Sequence, residues 1–226
     1  MVKDYELDDA QLEMVFEQCG LAGKVVCGID EAGRGCLAGP VVAAAVVLRG
    51  VAPEGLGDSK ALSAKKRDSL YKQLVESTHF GVGVVGAEVI DQVNILQANF
   101  LAMQLALSEL ASKVAFGDIG SVVVDGNYLT PRLQRDSARL GATIFTLVKG
   151  DAKVAAISAA SIIAKVTRDR IMKELDSVHP GYGFADHAGY GSPAHLAALR
   201  TLGPCAVHRM TFTPVAGARR AEAATC

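Results

Sequence analysis

Three short apolar segments rich in β-branched residues constrain the fold of this chain more than any other feature. They are KVVCGI (24–29), PVVAAAVVL (40–48) and FGVGVVGAEV (80–89), bounded by glycine and proline. Segments of this length and composition favour strands, and three in succession are typical of antiparallel pairing. We therefore predict that the fold begins with three paired strands.

Helices and strands alternate in the part of the chain that follows. The segment NILQANFLAMQLALSEL (94–110) carries apolar residues at helical spacing, SVVVD (121–125) and TIFTLV (143–148) are typical of strands, and residues 151–175 predict a long helix. A three-strand meander that leads into such an alternation indicates an α/β protein. The prediction is a mixed five-stranded sheet flanked by helices.

The composition changes near residue 177 and divides the chain into three parts. Residues 1–176 are predicted to form the main domain. Residues 177–213, rich in Gly, Pro, His and aromatic residues, form a small helical C-terminal extension. Its helix begins after the N-cap Ser192, has Pro193 in its first turn and ends at Gly203. Residues 214–226 are expected to be a flexible tail.

Composition and the amino terminus exclude some classes of protein. The 226 residues carry a formal net charge of −1, so bulk charge neither indicates nor excludes a nucleic-acid partner. Five cysteines without a C-x-x-C pair indicate a reducing cytosol. The acidic start MVKDYELDDAQLEMVF is unlike a signal peptide, and no apolar stretch approaches the length of a membrane span. The sequence therefore predicts a cytoplasmic protein.

Acidic residues follow three separate predicted strands. Asp30 and Glu31 end the first strand, Asp125 ends SVVVD, and Asp151 starts the long helix after TIFTLV. Taken singly, each has a simpler interpretation: a surface loop for the pair, a turn for Asp125 and a helix N-cap for Asp151. If the strands are neighbours, the carboxylates converge and require cations or protons to be stable. Oxygen ligands of this kind select Mg²⁺ or Mn²⁺.

Several motifs, in order along nearly the whole chain, resemble the bacterial ribonuclease HII family. They are GIDEAGRGCLAGPVVAAAVVL, DSKALS, VVVDGN, VKGDAKVAAISAASIIAKVTRDR, YGFADHAGYGSPAHL and HRMTF. The resemblance implies a ribonuclease H-like fold. It also implies an endonuclease that uses Mg²⁺ or Mn²⁺ to hydrolyse the RNA strand of RNA/DNA hybrids. The family further cuts on the 5′ side of ribonucleotides embedded in DNA, leaving 5′-phosphate and 3′-hydroxyl ends.

The resemblance also implies roles for individual residues. The four catalytic and metal-binding carboxylates fall on Asp30, Glu31, Asp125 and Asp151. The tripeptide Gly33, Arg34 and Gly35 is implied to recognise the ribose 2′-hydroxyl, since glycines allow close backbone approach. The family has a tyrosine that packs on the deoxyribose after an RNA-to-DNA junction, and this tyrosine falls on Tyr190. Arginine at position 34 favours this family over ribonuclease HIII, which usually has threonine there.

Other polar residues are weaker candidates for substrate binding. The phosphate contacts considered are Lys60, Lys153, Ser158, Ser161 and Arg209, although exposed lysines are often only solvated and helical serines often only pack. Asp169 is expected to form an ion pair on a helix face with Arg168, Arg170 or Lys173 more readily than to bind metal. Ala188 replaces a lysine common in relatives, so one phosphate contact is expected to be missing.

Alternative functions are also considered. The segment GRGCLA fits a dinucleotide-binding fingerprint, with Asp58 at the distance of a ribose ligand, but a strand and not a helix is predicted to follow it. A non-catalytic RNA/DNA hybrid-binding module is the stronger alternative. The chain carries all four of the family's carboxylates, however, and a module that only binds would not need them. Without an obvious coiled coil, a monomer is expected. The segment QLEMVF (11–16) faintly resembles peptides that dock on the bacterial sliding clamp, but it also has the spacing of an amphipathic helix.

Overall fold

A five-stranded sheet forms the centre of the protein. The structure, a computed structural model, describes residues 25–57, 62–115 and 117–224, and for residues 219–224 the backbone alone. The strands are β1 (Val26–Ala32), β2 (Val41–Leu48), β3 (Thr78–Val85), β4 (Ser121–Asp125) and β5 (Thr143–Leu147). Asp58, Lys60 and the segment 11–16 lie outside the described residues.

The strand order is β3-β2-β1-β4-β5, which confirms the mixed sheet. Strand β2 pairs antiparallel with β1 and β3, and β4 pairs parallel with β1 and β5. The antiparallel half follows the meander in sequence. The parallel half needs helical crossovers, which the alternating second half of the chain supplies. Strand β1 lies in the middle, so its carboxyl end adjoins that of β4.

Helices cover both faces of the sheet. Their bounds are α1 (Ala64–Ser77), α2 (Ala87–Val93), α3 (Ile95–Ala111), α4 (Pro131–Ala138), α5 (Ala155–Val178), α6 (Phe184–His187), α7 (Pro193–Leu202) and α8 (Thr213–Ala224). One face packs against α3, with Cys27 and Ile29 of β1 in its core. The other face packs against α1 and α5, with Val42, Ala44 and Val46 of β2 in its core. The period of two along each strand produces this division.

Two helices differ from the sequence prediction. Helix α1 lies between β2 and β3, where the sequence analysis identified no helix. Only Leu70 and Leu74 are buried in it, so its apolar periodicity is weak. Strand β3 ends at Val85, and α2 begins at Ala87 inside the segment predicted as strand. Valines continue across this boundary, which hides it in the sequence.

The C-terminal part packs onto the end of β1 and the loop that follows. Helix α5 continues past residue 176 to Val178, so the predicted domain boundary falls inside it. The residues expected to be a flexible tail are helical through Ala224, and Val215 of α8 is buried near Leu37 and Leu199. An isolated β-bridge joins Ala38 to His208. The extension is therefore anchored on the main domain.

Cysteine chemistry and hydropathy add two observations. Among the described residues Cys27, Cys36 and Cys205 are free thiols, and burial raises the pKa of Cys27 to about 12. No helix in the described ranges is both long and apolar enough to cross a bilayer.

Candidate active site

The carboxyl ends of β1 and β4 bring two of the predicted acids to one edge of the sheet. Ile29 of β1 pairs with Val124 of β4 in parallel register. The next residues along the two strands are Asp30 and Asp125, which the same register places side by side. The topology of the sheet therefore brings Asp30 and Asp125 to the same edge, and the gathering of all four acids into one metal site stays a prediction.

Asp30 carries a strongly perturbed carboxyl group. Its side chain is 6% exposed, and its carboxylate accepts a 2.7 Å hydrogen bond from the backbone N–H of Glu31. Burial raises the pKa of Asp30 well above its usual range, and the negative charges of Glu31 and Asp125 raise it further. A hydrogen bond with Ser161 of α5 acts in the opposite direction. A buried carboxylate among like charges is the environment that a cation stabilises.

The other acids are held in different ways. Glu31 accepts a hydrogen bond from Arg34 Nη1 at 3.0 Å. Asp125 Oδ1 accepts one from the backbone N–H of Gly150 at 2.8 Å, which ties β4 to the turn that carries Asp151. That turn is a short 3₁₀ helix, Gly150–Ala152, between β5 and α5. In the described ranges no three His, Cys, Asp or Glu side chains are grouped so that they would hold a metal ion.

The donor chemistry nevertheless fits a hard divalent cation. Asp30, Glu31 and Asp125 interact electrostatically and provide only carboxylate oxygens, which Mg²⁺ and Mn²⁺ prefer. A bound cation would remove the repulsion that raises the pKa of Asp30.

A cavity of about 480 Å³ lies beside Glu31. Its wall includes the loop Gly33–Gly35, Glu31, Ser161 and Tyr190, so the structure brings the two predicted sugar-recognition elements together. Tyr190 is 44% exposed. Gly33 has a φ of +95°, and a Cβ built on it would lie 2.0 Å from Arg168 Nε, so only glycine fits there.

The remaining predicted substrate contacts have different surroundings. Lys153 lies in the turn after Asp151 and is partly exposed. Ser158 is buried and donates to the carbonyl of Gly57 at 2.8 Å, which indicates a structural role. Arg209 is 0% exposed, and its guanidinium donates to backbone carbonyls. The phosphate contacts expected of Ser158 and Arg209 do not fit these positions, because neither side chain reaches the surface.

Two ion-pair contacts of Asp169, with Lys165 and with Arg67, were not identified from the sequence. Lys165 lines the cavity one turn after Ser161 on α5, and it donates to Asp169 Oδ1 at 2.5 Å. Asp169 also lies 3.7 Å from Arg67 Nη1. Asp169 thus forms an ion pair, as expected, but with Lys165 and Arg67. Helical spacing from Ser161 to Lys165 is the signal that was available for Lys165.

A buried histidine cluster lies behind Tyr190 in the extension. His195 Nδ1 is 2.8 Å from the carbonyl of Tyr190, and His195 Nε2 is 3.1 Å from His208 Nε2. His187 stacks on His195 at 4.5 Å between ring centroids. His208 is 1% exposed, and burial lowers its pKa to about 4. The histidines therefore support the backbone of Tyr190 from the protein interior.

The chain is similar to known proteins over most of its length. The family model for ribonuclease HII matches residues 27–215. The ribonuclease HII of Burkholderia vietnamiensis is 52% identical over 196 residues, covering 86% of this chain and 85% of that protein. The ribonuclease HII of Parvibaculum lavamentivorans is 48% identical over 199 residues, covering 87% and 69%.

A solved structure of the same fold supports this similarity. The complex of PCNA and ribonuclease HII from Archaeoglobus fulgidus superposes with a TM-score of 0.65 at 27% identity, covering 83% of this chain and 95% of that one.

Proposed function

Because the chain belongs to the ribonuclease HII family and is an endoribonuclease of the ribonuclease H type, we propose the following specific activity. The protein hydrolyses the RNA strand of RNA/DNA hybrids and incises duplex DNA on the 5′ side of single embedded ribonucleotides. The products carry 5′-phosphate and 3′-hydroxyl ends. The observation that carries this proposal is the cavity that unites the loop Gly33–Gly35 and Tyr190 beside Glu31.

Asp30, Glu31, Asp125 and Asp151 are proposed as the catalytic and metal-binding residues. The burial of Asp30 and its repulsion by Glu31 and Asp125 support a cation at this edge of the sheet. Bound Mg²⁺ or Mn²⁺ supplies an activated water and stabilises the charge that develops on the phosphate oxygens. Ser161 orients the carboxyl group of Asp30 through its hydrogen bond.

Recognition of a ribonucleotide is proposed to use both sides of the cavity. The backbone of Gly33, Arg34 and Gly35 contacts the 2′-hydroxyl, which distinguishes RNA from DNA at one position. Tyr190 packs on the deoxyribose that follows. A Cβ at Gly35 would meet no atom within 4 Å, so the space beside this residue is open to a sugar.

Phosphate contacts are proposed for cationic side chains near the cavity. Lys165 lines it, and the guanidinium of Arg34 is about half-exposed while it contacts Glu31. Lys153 follows the turn of Asp151. Such contacts supply affinity that does not depend on sequence. Lys60, proposed with them from the sequence, and any effect of Ala188 on affinity stay predictions.

A sliding clamp is also proposed as a protein partner. The relative from Archaeoglobus fulgidus is described in complex with PCNA, and the segment QLEMVF (11–16) is the proposed counterpart contact for a sliding clamp here. A monomer and a cytoplasmic location also stay predictions.

A cleavage assay on three duplexes tests the proposed function. The substrates are all-DNA, DNA with one embedded ribonucleotide, and a long RNA/DNA hybrid, each with Mg²⁺, with Mn²⁺ and with chelator. We expect metal-dependent cutting of the second and third substrates only, with the cut mapped 5′ to the ribonucleotide. Tight binding without cutting under any metal would instead indicate a hybrid-binding module.

A further inference from the structure

Two buried arginines hold the loop that follows β1 and are not explained by the chemistry at the carboxylates. Arg168 of α5 and Arg209 of the extension are each 0% exposed. Their guanidinium groups make hydrogen bonds with backbone carbonyls across the seam between the loop 33–40 and the extension. Planar guanidinium groups with five donors in fixed directions are suited to fixing several carbonyls at once.

Arg209 fixes the loop predicted to recognise the ribose. Its Nη2 donates to the carbonyl of Gly33 at 2.7 Å and its Nη1 to that of Arg34 at 2.8 Å. Its Nε and Nη2 also donate to the carbonyl of Gly39, at 3.1 and 3.0 Å. One side chain therefore joins the two ends of the loop. Of the three carbonyls that Arg209 contacts, two belong to the recognition tripeptide, those of Gly33 and Arg34.

Arg168 connects the same loop to the segment that carries Tyr190. Its Nε donates to the carbonyl of Pro40 at 2.9 Å and its Nη2 to that of Ala38 at 3.1 Å. Its Nη1 donates to the carbonyl of Ala188, two residues before Tyr190, at 2.8 Å. The stem of Arg168 also fills the space beside Gly33.

Backbone contacts close the seam between these two segments. The N–H of Leu37 donates to the carbonyl of Gly189 at 2.8 Å, and the N–H of Arg209 donates to the carbonyl of Leu37, also at 2.8 Å. A Cβ on Gly189 would lie 2.5 Å from the carbonyl oxygen of Ala38. The separation of the tripeptide from Tyr190 is thus set by a rigid, closely packed arrangement with the arginines inside it.

We propose that Arg168 and Arg209 are positioning residues that set the distance between the loop Gly33–Gly35 and Tyr190. This inference rests on the proposed function, and it assigns to buried residues that touch no substrate the spacing that recognition of an RNA-to-DNA junction requires. Incision at a single embedded ribonucleotide needs both the loop and Tyr190, whereas cleavage of a long hybrid needs the loop alone. Moving the loop relative to Tyr190 should therefore reduce incision at the ribonucleotide more than hybrid cleavage. The arginines therefore control the preference between junction incision and hybrid cleavage.

The test replaces each arginine by lysine and compares two substrates. Arg168→Lys and Arg209→Lys keep the positive charge but lose the fork that holds several carbonyls. Arg170→Lys is the matched control, because Arg170 lies on the same helix, is about half-exposed and pairs with Asp68 at 3.2 Å. The readouts are kcat and KM for a single-ribonucleotide duplex and for a long hybrid, with thermal unfolding of each variant.

We expect the ratio of junction incision to hybrid cleavage to fall about tenfold in both arginine variants, which is close to the lower end of what one hydrogen bond to a charged group contributes. The fall should appear in kcat more than in KM, since phosphate contacts elsewhere remain. Arg170→Lys should leave the ratio unchanged. If the arginine variants lower the melting temperature but leave the ratio at the wild-type value, the arginines only stabilise the fold and the proposal fails.

A third variant covers the case in which the lysine variants do not fold. Arg209→Gln has no charge to bury and keeps an amide that can donate to one carbonyl, and it should lower the same ratio. If none of the three variants folds even in the cold, the arginines are structural and the proposal is refuted. A wild-type protein that cuts neither substrate would refute the proposed function itself, which is a separate result from a ratio that does not change.

Discussion

The contact between Gly28 of β1 and helix α5 provides a strong test of how the fold positions Asp30, one of the proposed catalytic residues. A Cβ built on Gly28 would lie 2.2 Å from the carbonyl carbon of Ala156 and 2.3 Å from the N of Ile157. Two residues further along the same face of β1 is Asp30, which bonds to Ser161 of α5. Two strand residues and four to five helical residues both advance about 7 Å, so the helix and strand run alongside each other over this distance.

Gly28→Ala should therefore move α5 away from Asp30. Ordinary contact begins at 3.4 Å, so the added methyl group at 2.2 Å requires the backbone of α5 to retreat by about 1.2 Å. Overpacking of this kind costs about 1–3 kcal/mol of unfolding free energy. A misplacement of about 1 Å in a catalytic site lowers the rate by roughly 100-fold, so we expect a fall of that size in kcat.

Gly83→Ala is the matched control for this prediction. A Cβ on Gly83 of β3 would lie 1.9 Å from the carbonyl oxygen of Ala102 in α3, on the opposite face of the sheet. This variant should lose a similar unfolding free energy, measured by urea denaturation. It should keep most of its kcat below its melting temperature, because α5 and Asp30 are not displaced.

The comparison of the two alanine variants decides the argument. Near-normal cleavage by Gly28→Ala, or an equal loss of kcat in both variants, would contradict the claim that the packing of α5 on β1 sets the geometry of the site.

Four further predictions follow from other parts of the structure. Gly35→Ala should leave the melting temperature unchanged, because its methyl group meets no protein atom, but should depress cleavage of every ribonucleotide-containing substrate; wild-type activity would exclude a sugar contact there. Tyr190→Ala loses a stacking surface worth about 1–3 kcal/mol, so junction incision relative to hybrid cleavage should fall about tenfold; an unchanged ratio would contradict this role. His208 has a folded pKa of about 4 against 6.5 in the unfolded chain, so its neutral form contributes full stability above pH 6.5, and stability is lost as the pH falls toward 4. Urea unfolding should therefore show a loss of about 2 kcal/mol between pH 7.5 and 5 that is reduced in His208→Gln, where His195, whose pKa burial also lowers, still titrates; equal pH dependence would refute it. Ca²⁺ should support duplex binding but not hydrolysis, because its looser coordination holds the reacting groups poorly; turnover with Ca²⁺ would contradict this.

The sequence predicts the sheet well because its strands have a simple pattern. The runs that form β1 and β2 are buried on both faces, so they are almost continuously apolar and bounded by Gly or Pro. Helix α1 escapes prediction because most of its residues are polar and only two leucines are buried. Its cap is visible in the sequence, since Ser63 accepts from the N–H of Lys66, but a single cap does not establish a helix.

The site is only partly predictable for a different reason. The acids at strand ends are visible in the sequence, and the parallel register of β1 and β4 places Asp30 beside Asp125. The sequence does not reveal that Arg168 and Arg209 are buried and bind backbone carbonyls, because nothing in it distinguishes a buried arginine from a solvated one. Most of their contacts join residues about 130 to 176 positions apart, which no local pattern encodes.

Direct measurement of metal binding tests the central claim, that carboxylates at the common edge of β1 and β4 bind the catalytic cation. Mn²⁺ is titrated into the wild type, Asp30→Asn, Asp125→Asn and the control Glu76→Gln, an exposed acid of α1, and binding is followed by calorimetry and by the electron paramagnetic resonance signal of free Mn²⁺. We predict that the wild type and Glu76→Gln bind Mn²⁺ alike and that both asparagine variants lose binding and cleavage together while still binding duplex. Unchanged Mn²⁺ affinity in Asp30→Asn and Asp125→Asn would contradict the account.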